Sequence, residues 1–478
     1  MSDVRVRFAP SPTGYLHVGG LRTALFNYLF AAGQGGKTIL RIEDTDQSRK
    51  VEGAVENLIK SLQETGVVFD EGAHLGGEFG PYVQSERLAL YQKYLDQLLT
   101  QEDAYHCFCS EEVLAQMREE QLQKKESTKY DGRCRHLSSE VVQAKLAEKA
   151  PFVVRLKIRE DRGDYIIEDE IRGKVHFSPE QIDDQILLKS DGFPTYHLAN
   201  VVDDHLMQIT HVIRGEEWLP STPKHVQLYE YLGWKAPKFA HLPLLLNSDR
   251  SKLSKRQGDV ATEDFLKKGI LPECLINFIA LLGWNTQDDQ EIFSMEELIS
   301  NFSLDRVGKA GAVFDQDKLL WMNQQYIKNE SPEDLFEKLR PFLPDFSKST
   351  DEELLKKMVL VIRDRLSLLS DVEEQLGFFY HDSPEITDEG LLSLIKSESA
   401  QLVYQAFLEE METQENLSSE NFGKVMKLVQ KKTKIKGKNL WIPMRIAITL
   451  IEQGPDLMAV VDIFGKEKCL DRIKMILD

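Results

Sequence analysis

The 478-residue chain contains little cysteine, little proline and no long hydrophobic run. Five cysteines are too few and too unevenly spaced for a disulfide framework in a chain of this length. Seventeen prolines, 42% hydrophobic and 29% charged residues exclude collagen-like, mucin-like and wholly disordered chains. No window approaches about 18 consecutive apolar residues, and the sequence opens on an alternating pattern instead of a basic-then-apolar leader. We therefore expect a core-forming protein of about three domains, without a membrane span or secretory signal, in the cytosol.

The charge balance is acidic overall but basic in one segment. The formal net charge of −19 argues against a nucleic-acid partner, because phosphate binding needs basic surface. Between Lys424 and Arg445, however, there are eight basic residues and no acidic one, and Trp441 lies among them. A basic stripe with an aromatic side chain suits contact with a nucleic-acid backbone and stacking on a base. The alternative is a solvated lysine-rich helix.

The first 45 residues predict a strand, a loop, a helix and a second strand. Val4, Val6 and Phe8 alternate with two arginines, which is the period of a strand. Helical spacing begins at Leu21 and ends at the stretch from Gly33 to Gly36, and residues 38–42 form another apolar strand. This order opens a parallel α/β sheet, in which ligands bind at the carboxyl ends of the strands.

The rest of the chain predicts an insertion and then helices. Residues from about 85 to 195 interrupt the first pattern, with strands near 152–158 and 165–170. Sheet-like sequence resumes at 199–205 and 209–214, and strand signals fade after about residue 235. From 310 onward the period is helical, with loops at 341–349 and 381–387. No fixed-period repeat is present, which excludes a solenoid.

Residues 31–38 match a relaxed P-loop pattern in the wrong context. A P-loop follows a strand and opens a helix, so that backbone amides meet the phosphates. Here a helix precedes the glycines and a strand follows them, which predicts a plain helix-terminating turn. No Gly-x-Gly-x-x-Gly follows the first strand, so a nicotinamide-binding fold is also unsupported.

Two distant loops carry the stronger signals. The first, residues 10–20, joins a strand end to a helix start, where His17 could donate to a phosphate oxygen beside Gly19 and Gly20. The second, residues 247–256, holds Lys252 and Lys255, two ammonium groups suited to a polyphosphate whose charge shifts during reaction. Taken singly, the loops could equally be an ordinary turn and a solvated surface.

Together the loops resemble the His-x-Gly-His and Lys-Met-Ser-Lys-Ser signatures of class I aminoacyl-tRNA synthetases. They read here as His17-Val18-Gly19-Gly20 and Lys252-Leu253-Ser254-Lys255-Arg256. Residues 7–20, 41–46, 190–205 and 214–218 further resemble glutamyl-tRNA synthetases of bacterial type. The resemblance covers nearly the whole chain and is most specific over residues 5–260. Gly20 replaces the second signature histidine, so no role of that side chain carries over.

The resemblance implies an α/β fold of class I type. It consists of a Rossmann-like parallel-sheet catalytic core with an inserted α+β domain, followed by an all-α C-terminal region. The expected boundaries are 1–84 with 197–235 for the catalytic domain, 85–196 for an acceptor-end-binding insertion, 236–330 for a stem-contact domain carrying the Lys-Leu-Ser-Lys-Arg loop, and 331–478 for a helical anticodon-binding region.

The resemblance also implies ATP-dependent attachment of L-glutamate to tRNA(Glu) through a glutamyl-adenylate. A substrate carboxylate is already a nucleophile toward the α-phosphate, so catalysis is positioning and charge stabilisation. The family further suggests that tRNA must be present before activation. We expect a monomer that does not bind a membrane and takes Mg2+ with its ATP.

The site residues follow from the same resemblance. Glutamate has two carboxylates and one ammonium, so its pocket needs cationic groups and an anionic one. The side-chain carboxylate would be bound by Arg7, Tyr196 and Asn200. The α-amino-acid end would be bound by Arg214, Ser11 and Glu43. The phosphates would contact His17 and Lys255, with Lys252 assisting, and the nucleotide would also be bound by Gly19, Gly20, Glu217 and Trp218.

Three cysteines crowd into 28 residues and predict a zinc site. Cys107, Cys109, Cys134 and His136 form a Cys-x-Cys and Cys-x-His set, which would make a closed tetrahedral site with a structural role. Three unrelated thiols are the alternative.

Other functions fit the sequence less well. A glutaminyl-tRNA synthetase shares the core, but residues 41–46 fit the glutamyl form better. A truncated, tRNA-base-modifying relative lacks the helical C-terminal region. A non-catalytic tRNA-binding paralogue would not need both signatures. The sequence leaves open whether tRNA(Gln) is also charged.

Overall fold

Short strands occupy the first part of the chain and helices the second, in a computed structural model that describes residues 3–159, 161–253, 261–380 and 388–477. The chain divides into two units. The first comprises Met1–Phe265 and Leu275–Asp315, and the second comprises Leu266–Cys274 and Gln316–Asp478. Among the described residues, no helix has both the length and the apolar character needed to cross a bilayer.

The strands have the following bounds: β1 Arg5–Phe8, β2 Lys37–Leu40, β3 Glu71–Gly72, β4 Ala104–Cys107, β5 Val153–Leu156, β6 Tyr165–Asp169, β7 Gly173–Phe177, β8 Ile186–Leu188, β9 His211–Gly215, β10 Lys238–Leu242, β11 Leu245–Leu246 and β12 Ala312–Val313.

The helices have the following bounds: α1 Val18–Gly33, α2 Ala54–Glu64, α3 Leu88–Thr100, α4 Glu111–Gln123, α5 Ser139–Ala147, α6 Tyr196–Leu206, α7 Thr222–Tyr231, α8 Thr262–Lys267, α9 Pro272–Ala280, α10 Met295–Asn301, α11 Gln316–Asn329, α12 Pro332–Leu339, α13 Glu352–Ile362, α14 Val372–Tyr380, α15 Glu389–Ile395, α16 Glu398–Met411, α17 Ser419–Thr433, α18 Lys438–Thr449 and α19 Leu457–Leu477.

Parallel pairing builds the core of the first unit, as predicted. β1 pairs with β2, β2 with β3, and β9 with β10, all in parallel. The Thr210 amide, just before β9, donates to the Arg5 carbonyl at 2.9 Å, so β9 begins beside the beginning of β1. Carboxyl ends of parallel strands meet at one edge of the sheet. The loops after β1, β2 and β9 therefore converge there.

The helix after β1 confirms that residues 31–38 are not a P-loop. α1 buries Leu21, Leu25 and Leu29 against the core, ends at Gly33, and is followed by β2. The turn between them thus lies at the C-terminus of a helix, where carbonyl groups point outward and do not attract phosphate.

Residues 199–205 form part of helix α6, so the prediction of sheet-like structure there is wrong. Nearly every side chain of this stretch is buried, including Val201 and Val202. A helix buried on all sides shows no 3.6-residue period, and tertiary packing overrides the strand propensity of valine. The helix places Tyr196, Asn200 and Asp204 on one face, because they are four residues apart.

Strand β10 was also missed, since strand signals were expected to fade after about residue 235. It is short and contains Lys238 and His241, which weaken its apolar pattern. Its pairing with β9 along the full length of both strands puts it in the core sheet.

The helical C-terminal region agrees with expectation, whereas β6, inside the expected insertion, also pairs in parallel with β10 of the core sheet. β4, β5 and β8 form an antiparallel sheet, and β6 pairs with β7 as a hairpin. The second unit is helical. Its predicted loop at 341–349 contains two short 3-10 turns, Arg340–Phe342 and Asp345–Ser347. The predicted loop at 381–387 lies outside the described residues.

A buried ion network joins α6 to the core sheet. Asp203, which is fully buried, accepts hydrogen bonds from Arg87 at 2.7 Å, Tyr91 at 2.8 Å and Gln84 at 2.9 Å. Arg41 lies 3.9 Å from the same carboxylate. Buried charges are tolerated only when they are paired and hydrogen-bonded, so these contacts fix the position of α6.

Asp203→Ala is therefore expected to lower the free energy of unfolding by about 3–5 kcal/mol, because it leaves Arg87 buried without its carboxylate. Urea denaturation followed by circular dichroism measures the change. Glu64→Ala is the control, since it breaks only the exposed pair between Lys60 and Glu64 and should change stability little. Equal losses in both variants would contradict this role of the network.

Candidate active site

A cavity of about 920 Å³ opens where the loops after β1, β2 and β9 converge. Its walls contain every predicted amino-acid and nucleotide residue that the structure describes. They are Arg7, Ser11, His17, Gly19, Gly20, Glu43, Tyr196, Asn200, Arg214, Glu217, Trp218 and Lys252. Lys255, the remaining predicted residue, lies outside the described residues. One cavity thus brings together residues that are up to 245 positions apart in the sequence, from Arg7 to Lys252.

The first signature loop begins helix α1. His17 is its N-cap, and the imidazole Nδ1 accepts a hydrogen bond from the Gly20 amide at 3.1 Å. A Cβ at position 19 would lie 3.1 Å from two ring atoms of His17, so a side chain there would press on the imidazole. The ring is exposed at a helix N-terminus, where the macrodipole favours an anionic ligand.

The second signature loop is attached to the same wall at both ends. Lys252 pairs with Leu246 before the undescribed residues 254–260, and Ala261 pairs with His17 after them. The Thr262 amide also donates to the Leu16 carbonyl at 2.8 Å. The contacts of Ala261 and Thr262 place the chain that follows the undescribed residues beside the histidine-bearing loop.

Arg7 contributes one positive charge to the cavity. Its Nε donates to Asp204 at 3.0 Å, and Arg41 donates to the same carboxylate oxygen at 2.8 Å. Although burial opposes ionisation, the two arginines lower the pKa of Asp204. In the described chain the terminal nitrogens of Arg7 donate to no residue.

Glu43 contributes the negative charge. Its Oε1 accepts hydrogen bonds from Arg41 at 3.1 Å and from the Asn200 amide at 3.3 Å. Burial raises the pKa of Glu43, while the positive charges of Arg41 and Arg7 oppose that shift. A ligand ammonium beside it would favour the ionised carboxylate further.

Arg214 has a different environment from Arg7. Its guanidinium donates to the Tyr196 hydroxyl at 2.7 Å, His241 Nε2 at 3.0 Å and Thr222 Oγ1 at 3.0 Å, and His225 Nδ1 lies at 3.3 Å. Burial raises the pKa of Tyr196, which keeps the hydroxyl neutral. Within the described part of the chain Arg214 forms no ion pair, so its charge remains uncompensated beside the cavity.

The tyrosine and tryptophan that line the cavity are in contact with each other. The rings of Tyr196 and Trp218 lie 4.3 Å apart, and Trp218 is 39% exposed. Tyr196 thus touches both the exposed indole and Arg214, which links the predicted amino-acid and nucleoside sides of the cavity.

The sequence analysis missed the residues behind the cavity. Asp204 could have been found, since it follows another aspartate in a chain whose strand ends carry arginines that need anionic partners. His225 and His241 gave no signal, because single histidines in apolar stretches are common and their proximity to Arg214 depends on long-range packing.

The predicted metal site is formed only in part. The sulfur atoms of Cys107, Cys109 and Cys134 lie within 4.8 Å of one another. His136, expected as the fourth ligand, is exposed and is not part of this group. The Tyr130 hydroxyl lies 3.3 Å from Cys107 Sγ and 3.7 Å from Cys109 Sγ instead.

The electrostatics of the cysteine group favour a thiolate. A hydrogen bond with Cys134 lowers the pKa of Cys107 to about 4 and raises that of Cys134. Since the thiolate is the form that binds metal, this group could hold a metal ion.

The basic segment lies on α17, on α18 and in the turn between them, all in the second unit. Lys424 pairs with Glu420 on its own helix, and Lys432 pairs with Glu409. Trp441 is 37% exposed. Acidic neighbours thus partner two lysines of the segment.

Comparisons with known proteins identify the family of the chain. Residues 3–321 match the catalytic domain of the tRNA synthetases class I (E and Q), and residues 334–477 match an anticodon binding domain. Glutamate–tRNA ligases of Alkaliphilus metalliredigens and Clostridioides difficile are each 49% identical to the chain. The first alignment covers 100% of this chain and 99% of the relative, and the second covers 98% of each.

A solved structure has the same fold. The glutamate tRNA ligase from Elizabethkingia meningosepticum, determined in complex with its amino acid, matches with a TM-score of 0.91 and 39% identity over 99% of both chains. Sequence, fold and site therefore lead to one conclusion: the chain belongs to the class I tRNA synthetases of the E and Q family.

Proposed function

We propose that the chain is a glutamate–tRNA ligase that activates glutamate with ATP and transfers it to tRNA(Glu). The observation that carries this proposal is the pair of buried arginines, Arg7 and Arg214, in one cavity with His17 and Lys252. Two cationic groups and one carboxylate complement the two carboxylates and one ammonium of glutamate. Full-length relatives named as glutamate–tRNA ligases support the same substrate.

The amino acid would bind across the strand ends. We assign the side-chain carboxylate to Arg7, whose terminal nitrogens are available, together with Tyr196 and Asn200. We assign the α-carboxylate to Arg214 with Ser11, and the ammonium to Glu43. This arrangement leaves the α-carboxylate on the same wall as the nucleotide loops.

Activation then requires positioning more than proton transfer. The α-carboxylate attacks the α-phosphate of ATP and pyrophosphate leaves, so no general base is needed. His17, at the N-terminus of α1, would stabilise negative charge on the phosphates. Lys252 and Lys255 of the second signature would do the same, and Gly19, Gly20, Glu217 and Trp218 would bind the nucleotide. Mg2+ would accompany ATP and offset phosphate charge.

Transfer completes the reaction. A hydroxyl of the terminal tRNA adenosine attacks the mixed anhydride and AMP leaves. We propose that the insertion, residues 85–196, binds the acceptor end and that the helical region, 331–478, binds the anticodon. The basic residues of α17 and α18 support that second assignment. Four further points stay predictions: a catalytic domain formed by 1–84 with 197–235, a stem-contact domain at 236–330, a monomeric state and a cytosolic location.

Pyrophosphate exchange tests the proposed function. Exchange is expected with glutamate, ATP and total tRNA together, and its absence under every combination of these would overturn the proposal. Charging purified tRNA(Glu) and tRNA(Gln) side by side then determines whether the enzyme discriminates between them.

Arg7→Gln tests the specificity residue. It should lower kcat/KM for glutamate by about 100-fold and reduce the preference for glutamate over glutamine, because the carboxylate loses its charged partner. Steady-state aminoacylation with both amino acids measures this.

Arg5→Gln is the matched control for Arg7→Gln. It makes the same change on the same strand, but Arg5 pairs with Glu71 and does not line the cavity. Similar kinetic losses in both variants would argue that Arg7 acts only through folding.

We further propose a structural zinc ion on Cys107, Cys109 and Cys134. Three thiolates at this spacing match the sulfur-rich donor set that zinc prefers. The nearby Tyr130 hydroxyl makes this tyrosine a stronger candidate for the fourth ligand than His136.

Elemental analysis of the purified protein is expected to give about one zinc per chain, and Cys109→Ala should lose it. Cys469→Ala, which removes a buried cysteine outside the group, should retain zinc. Tyr130→Phe should weaken zinc retention against a chelator more than His136→Ala does. Zinc-free wild-type protein after expression with excess zinc would contradict the site.

A further inference from the structure

A chain of buried hydrogen bonds runs behind Arg214 through residues that do not line the cavity. It consists of Asp169 at the end of β6, His241 in β10 and His225 in α7, and all three are at most 4% exposed. His241 Nδ1 lies 2.6 Å from Asp169 Oδ2, and His241 Nε2 lies 3.0 Å from Arg214 Nε. On the other side, His225 Nδ1 lies 3.3 Å from Arg214 Nη1.

The donors of arginine determine which nitrogen of each histidine carries the proton. A guanidinium has only N–H donors, so each imidazole nitrogen that faces it must be an acceptor. The Nε2 atom of His241 is therefore unprotonated, and its Nδ1 atom carries the proton that it donates to Asp169. The Nδ1 atom of His225 is likewise unprotonated. Its Nε2 atom carries the proton and lies 3.1 Å from His197 Nδ1.

Both histidines are neutral in this arrangement. Burial lowers the pKa of His241 and of His225, which agrees with the geometry. Although burial opposes it, the hydrogen bond with His241 lowers the pKa of Asp169, so this carboxylate is ionised. The negative charge nearest to Arg214 in this chain of bonds is therefore one imidazole ring away from it.

Building on the proposed function, we propose that Asp169 and His241 are positioning residues for glutamate binding. Asp169 fixes the tautomer of His241, and His241 fixes the plane of the Arg214 guanidinium without neutralising its charge. An aspartate in direct contact with Arg214 would hold the side chain equally well, but it would compete with the substrate carboxylate. A neutral acceptor holds the arginine and leaves its charge for the ligand.

Asp169→Asn changes the tautomer with little change in shape. Asp169 Oδ1 accepts from the backbone amides of Ile171 at 3.0 Å and Arg172 at 2.8 Å, and the asparagine carbonyl can retain both bonds. The asparagine NH2 group then replaces Oδ2 and donates to His241 Nδ1. The proton of His241 then moves to Nε2. A protonated Nε2 can no longer accept the hydrogen bond from the Nε–H group of Arg214.

In the full chain, with tRNA(Glu) and ATP, this variant should raise the KM for glutamate by about tenfold or more and leave the KM for ATP unchanged. Asp184→Asn is the control. It makes the same substitution at a buried aspartate of the insertion, which binds Arg135 and the Ile158 amide outside the cavity. If the role of Asp169 were purely structural, both variants would change the kinetic constants alike, and the KM for glutamate would not change selectively.

His241→Gln provides a rescue, because glutamine has no tautomers and its carbonyl can accept from Arg214 whatever stands at position 169. The double variant Asp169→Asn with His241→Gln should therefore regain most of the glutamate affinity that Asp169→Asn loses. If the double variant is no better than Asp169→Asn, or if Asp169→Asn binds glutamate like the wild type, the positioning role is overturned.

Nitrogen NMR of histidine-labelled wild-type protein gives a second measurement, which reads the tautomer in the unaltered site. The His241 signals, assigned by their loss in His241→Gln, should show a neutral ring with the proton on Nδ1. A charged ring, or a proton on Nε2, would overturn the proposal. If the wild-type chain charges no tRNA with glutamate, the proposed function fails, and the NMR result still reports on the tautomer.

Discussion

The site depends on how buried charges are paired behind the cavity. Asp203 and Asp204 are adjacent on α6, and each accepts from arginines of the core sheet or of the segment before α3. In a medium of low polarity an unpaired charge is costly, so these ion pairs fix the helix against the strand ends. Asn200, one turn earlier on the same helix, is thereby held at the cavity wall.

The two arginines of the cavity are held in different ways. Arg7 shares Asp204 with Arg41, so part of its charge is already balanced. Arg214 is surrounded by neutral acceptors, and its whole charge is available to a ligand. The two arginines thus have different electrostatic environments, which suits the proposed assignment of one carboxylate of glutamate to each of them.

The nucleotide side is built from backbone contacts more than from side chains. His17 is oriented by the amide of Gly20, and the chain after the second signature returns to pair with His17 itself. Gly20 stands in place of the second signature histidine. Its backbone amide still donates the hydrogen bond that orients His17, the first signature histidine.

The sequence by itself determined the local features whose causes are local. The alternation before Phe8, the helix that includes Leu21 and the first signature loop all depend on neighbours within a few residues, and the structure confirms them. The sequence also placed Arg7 and Arg214 toward the ends of strands, where β1 and β9 have them. It could not show that residues 199–205 are helical, because a fully buried helix loses its amphipathic period.

Only the tertiary structure decided which residues stand behind the ligands. The contacts of Asp204 with Arg7 and Arg41 join segments that are far apart in the chain, and those of Arg214 with His225 and His241 join three separate elements. The same holds for the position beside the three cysteines, where Tyr130 lies and His136 does not. Such contacts are set by packing of whole elements and by the requirement that buried polar groups find partners, and neither leaves a pattern in the neighbouring sequence.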